Sequence, residues 1–86
     1  MKVFVLYHPD SEHHRGVDDF ARELSRETGH TLDLISLDTP NGDHLARLYD
    51  VTKYPAVVAT TDTGELRQLW QEEMLPTIGE VSGYFS

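Results

Sequence analysis

Eighty-six residues, with 15 acidic against 7 basic side chains and a formal charge of −8, describe a single small acidic domain spanning residues 1–86. At this length folding buries little more than ~60% of the surface exposed by the unfolded chain, which argues against a large enclosed cofactor cavity. The acidity disfavours nucleic acid and anionic membranes as partners, and the absence of cysteine excludes disulfides, thiolate-bound metals, iron–sulfur clusters and cysteine nucleophiles.

Lys2 to Tyr7 is a continuous apolar run, the pattern of a strand buried on both faces. No run approaches the ~18 apolar residues of a membrane span, and Met1-Lys2 leads straight into this strand rather than into a signal peptide. The expectation is a soluble, cytoplasmic protein with no membrane partner. Pro9 ends the strand, and Asp10 or Ser11 can cap a following helix. In that helix Val17, Phe20, Ala21 and Leu24 recur at helical spacing while Asp18, Asp19, Arg22, Glu23 and Arg26 fill the other faces; one stripe is buried and the rest is solvated. Thr28-Gly29 supplies the helix stop.

Thr31 to Leu37 alternates incompletely, which suits an outer strand. Residues 38–43, Asp-Thr-Pro-Asn-Gly-Asp, are turn chemistry, and a short helix over Asp43 to Tyr49 places Leu45, Leu48 and Tyr49 on one side. Pro55 opens a strand through Ala59 or Thr60. Asp62-Thr63-Gly64 turns the chain, and Glu65 to Trp70 returns as a partner strand. Pro76 begins a last helix patterned by Ile78, Val81 and Phe85 and loosened by Gly79 and Gly83. The order β-α-β-α-β-β-α makes the first two strands parallel through a right-handed crossover and the last two antiparallel. The predicted architecture is α/β, a four-stranded mixed sheet with helices on both faces.

That order, together with Tyr49, Val51, Pro55, Val57, Val58, Gly64 and Glu65, resembles the minimal thioredoxin or glutaredoxin fold across nearly the whole chain. The resemblance implies that Pro55 is the family's cis-proline and that residue 54 lies beside the start of the first helix. It also implies that Ser11-Glu12-His13-His14 stands where the family carries Cys-X-X-Cys. A serine hydroxyl is not ionised by a helix N-terminus as a thiol is, so dithiol–disulfide exchange is excluded. The glycine pair that precedes the last helix in glutaredoxins is replaced by Gln71-Glu72-Glu73-Met74, and two acids there repel the carboxylates of glutathione.

Three readings of the chemistry follow. The leading one is a redox-inactive, thioredoxin-like binding module with no catalytic residue and no cofactor, which takes a protein or extended peptide at Ser11, Glu12, His13, His14, Lys53, Tyr54 and Pro55. Tyr7, Tyr54, Trp70 and Met74 form another candidate group, in which Tyr7 and Trp70 read as packing and Tyr54 stands equally well as packing or as a phenol in contact with a ligand or peptide. A second reading is a divalent-metal site through His8, Asp10 and His13 or His14; against it, adjacent helical histidines diverge by about 100° and lack the i, i+4 spacing of a helical ligand pair. A third is a cysteine-free enzyme using Ser11 or His13, which requires a base hydrogen-bonded to the nucleophile and an oxyanion hole. Ser11 is better explained as a helix cap.

Overall fold

The computed structural model describes residues 1–71 and 74–85. Its elements follow the order β1 (Lys2–Tyr7), α1 (His14–Thr28), β2 (Asp33–Ser36), α2 (Pro40–Leu48), β3 (Ala56–Thr60), β4 (Leu66–Trp70) and α3 (Ile78–Ser82). The sheet runs β2-β1-β3-β4. β1 pairs parallel with β2, with Phe4 opposite Asp33, and antiparallel with β3, with Val5 opposite Val57. β4 closes the other side antiparallel to β3.

The two central strands explain the two apolar runs in the sequence. Val3, Val5, Val57 and Ala59 point to one face, where Val17 and Leu24 of α1 and Val81 of α3 cover them. Phe4, Leu6, Ala56 and Val58 point to the other, under Ala46 of α2 and Val51. Alternation along β1 and β3 thus feeds a separate core on each side, and every residue of β3 is buried. β2 is an edge strand, as its broken pattern implies, but is confined to Asp33–Ser36. Leu32 is buried just before it.

α2 begins three residues earlier than the sequence pattern suggests. The Thr39 hydroxyl accepts from the Gly42 amide and Pro40 occupies the first turn, so the residues read as a turn are a capped helix start with proline where its missing N–H costs nothing. Gly42 lies so close to the end of β2 that a Cβ there would sit 1.9 Å from the Ser36 carbonyl oxygen. The helix stops through paired bonds, Asp50 N–H to the Arg47 carbonyl and Val51 N–H to the Ala46 carbonyl, with Asp50 in the left-handed region at φ 55°. This is a Schellman stop with aspartate where glycine is usual. It delivers Val51 into the core and starts the loop toward Pro55. α3 carries a capping box between Thr77 and Glu80. Among the described residues no helix is long and apolar enough to cross a membrane.

Candidate functional site

Two connections meet beside the end of the sheet formed by the C-terminus of β1 and the N-terminus of β3: the turn 8–13 before α1 and the loop 52–55. In the turn, the Ser11 amide and hydroxyl both donate to the His8 carbonyl. The His8 amide donates to Nε2 of His13 at 3.2 Å, so that nitrogen is an unprotonated acceptor. The ring of His14 reaches the Ser11 carbonyl through Nδ1 at 2.9 Å, which places its proton on Nδ1. Burial, and then the neighbouring His8 and His14, hold His13 below the usual histidine pKa, consistent with its acceptor role.

The second connection is held by the residue that follows β4. Oε1 of Gln71 accepts from the amides of Thr52, at 2.9 Å, and Lys53, at 3.3 Å. The Tyr54 phenol donates back to the Val51 carbonyl at 3.1 Å, and Pro55 is buried. The Tyr54–Pro55 peptide is cis. Among the described residues the main-chain N–H and C=O of Tyr54 have no hydrogen-bond partner. The turn and the loop are joined by the His8 ring, edge-on to Tyr54 at 5.3 Å and 6.3 Å from the His13 ring. On its far side Nδ1 of His8 lies 3.9 Å from an Asp38 carboxylate oxygen.

The expected site residues therefore share one end of the sheet, with two corrections of detail. Ser11 is not the cap of α1: the helix starts at His14, and its flanking His13 makes no side-chain cap, because the Ser11 hydroxyl is engaged by His8. Only His14 lies on the first helical turn, while His13 belongs to the turn before it. Tyr54, left open between packing and ligand contact, is half-buried with its ring packed against the α2-side core. Glu12 and Lys53 are exposed. Trp70 packs against the opposite core and meets Tyr84 edge-on at 5.3 Å.

The other readings fit the geometry less well. Among the described residues no three histidine, aspartate or glutamate side chains gather closely enough to hold a metal ion, and the lone pair on Nε2 of His13 already accepts the His8 amide. The Ser11 hydroxyl donates to a main-chain carbonyl, so no imidazole is positioned to take its proton. Glu72 and Glu73, invoked against glutathione, lie outside the described residues.

Three of the grouped residues, Tyr54, Trp70 and Met74, fall on one surface feature. Beside Tyr54 an open groove runs along the end of β4, lined by Lys53, Tyr54, Trp70, Met74, Leu75 and Glu80. Met74 is 84% exposed, a large apolar side chain left in water. The groove's residues come from three separate segments, so no local periodicity announces the whole of it; Leu75 and Glu80 join Tyr54, Trp70 and Met74 only through the fold.

Neither a protein-family model nor a curated protein matches the chain. Among solved structures it is similar to one described as a malarial protein, with a TM-score of 0.66 over 98% of this chain and 96% of that one at 12% sequence identity. At that identity the likeness concerns the fold alone.

Proposed function

We propose that this chain is a cysteine-free, thioredoxin-like domain that binds an extended protein segment at the edge formed by Lys53, Tyr54 and Pro55 facing the turn 11–14. The observation that carries this reading is the main chain of Tyr54, unpaired among the described residues and held in place by its phenol and by His8. A free N–H and C=O on a rigidly seated residue offer an incoming strand two backbone hydrogen bonds without reorganisation. Lys53, exposed and next in the chain, and Glu12 and His14, exposed on the turn that His8 joins to Tyr54, are available for side-chain selectivity. The module needs no catalytic residue and no cofactor.

Selection from a displayed peptide library followed by NMR mapping on the full chain tests the reading. Enriched peptides should shift the amides of His13, Lys53, Tyr54 and Ala56. Enriched peptides that instead map to the solvent face of α1, or a library that yields none, would contradict it.

A further inference from the structure

The groove beside Tyr54 has a wall chemistry that selects among extended segments. Trp70, Met74 and Leu75 present apolar surface, and Met74 is almost fully exposed, so a large apolar side chain placed there would remove surface from water on both partners. The charge at its rim is held in a defined position. Glu80 lines the groove, and the capping box fixes its carboxylate: Oε1 accepts from the Thr77 amide at 3.3 Å and from the Thr77 hydroxyl at 3.1 Å. Among the described residues Oε2 has no hydrogen-bond partner. A carboxylate oriented by a helix cap, with one oxygen to spare, is a preorganised acceptor for a cation.

The field of the whole molecule agrees. A formal charge of −8 steers cationic partners toward the surface. Three of the seven basic side chains, Arg22, Arg26 and Arg47, are paired with carboxylates on their own helices, and Lys53 is the one basic residue lining the groove. Lys53 stands on the loop next to Tyr54, and Glu80 on α3, so among the described residues the groove carries a charge of each sign from separate elements, which gives a bound segment a direction.

We infer that the groove receives an extended peptide segment with a large apolar residue against Trp70 and Met74 and an arginine or lysine reaching Oε2 of Glu80. The inference rests on the proline-loop reading, because the same segment pairs with the main chain of Tyr54.

The test uses the labelled full chain and three capped synthetic peptides of serine and threonine, differing only in a central Leu-Thr-Arg, Leu-Thr-Gln or Leu-Thr-Glu. Titrations are followed by NMR in low and high salt, with the wild type and with Glu80→Gln. Glutamine retains the acceptor of the capping box while removing the charge, so helix α3 survives the substitution. The arginine peptide should bind up to about fivefold more tightly than the glutamine peptide, as a rim ion pair allows. This advantage should shrink in high salt and vanish in Glu80→Gln, with shifts at the Trp70 indole and the Met74 methyl. Equal binding of all three peptides with shifts at Tyr54 would overturn the inference and leave the proline-loop reading standing, as would preference for the glutamate peptide. Absence of any shift at Tyr54 would overturn both. Groove signals that move with protein concentration alone would assign the groove to a second copy of the chain and overturn the inference.

Discussion

The imidazole of His8 meets the ring of Tyr54 edge-on, with centroids 5.3 Å apart and planes at 78°. Through this contact the turn after β1 and the loop before β3, separated by 38 residues of chain, form one surface. Edge-to-face pairs of this kind contribute about 0.5–1.5 kcal/mol beyond burial. The same tyrosine is tied from below by its bond to the Val51 carbonyl.

Tyr54→Phe keeps the ring against His8 and deletes only that bond, leaving a main-chain carbonyl without its partner. Urea unfolding should register a loss of about 1 kcal/mol. Tyr54→Ala, which also empties part of the α2-side core, should cost more than Tyr54→Phe. Equal stability of the two variants would show that the ring is not packed.

His13 gives the site a pH dependence of defined sign. Its folded pKa is held below the unfolded value of about 6.5 by burial and by His8 and His14, so the unfolded chain takes up the proton first as pH falls. The contribution to stability is therefore complete above about pH 6.5 and is lost as the pH drops through the folded pKa. Protonation also turns the Nε2 acceptor into a donor facing the His8 amide. Urea midpoints compared at about pH 7.5 and about pH 5.5 should fall in the wild type, and by less in His13→Gln.

Gly42→Ala separates tertiary packing from helix propensity. Propensity alone favours alanine by about 1 kcal/mol inside a helix. Here the new Cβ would stand 1.9 Å from the Ser36 carbonyl oxygen, a main-chain atom at the end of β2. The variant should be destabilised by more than about 2 kcal/mol, measured by thermal or urea unfolding; a gain in stability would contradict the contact between α2 and β2.

Asp50→Gly should act in the opposite direction. Asp50 holds φ 55° at the stop of α2, where a side chain meets its own carbonyl and glycine does not. A gain of about 0.5–1 kcal/mol is expected, checked by the shift in unfolding midpoint.

What could be read without coordinates followed from burial. Val3 to Leu6 and Ala56 to Ala59 are apolar because both faces of β1 and β3 are covered, so a four-stranded mixed sheet was legible in the apolar runs and turn spacing, whereas the neighbour order β2-β1-β3-β4 was not. Strong local signals also carried α1, whose Val17 and Leu24 are fully buried. Boundaries failed where one residue type serves two local structures: Pro40, Asn41 and Gly42 are turn formers and equally the first turn of a capped helix. Ser11 was misread for a related reason, since its hydroxyl has two acceptable uses, a helix amide or the His8 carbonyl, and only the path of the chain decides between them. The groove was legible in part: Tyr54, Trp70 and Met74 group together in the sequence, whereas Leu75 and Glu80 join them only through the fold and share no spacing with them.

The most direct test of the binding surface is amide hydrogen exchange at Tyr54, with and without a saturating peptide selected by the domain. In the free protein this amide should exchange without protection, because its N–H has no partner among the described residues. Bound peptide should slow it by at least about tenfold if a strand pairs with it. An amide already protected in the free protein, or one whose exchange is unchanged at saturation, would contradict the proposal that Tyr54 is where the partner's main chain docks.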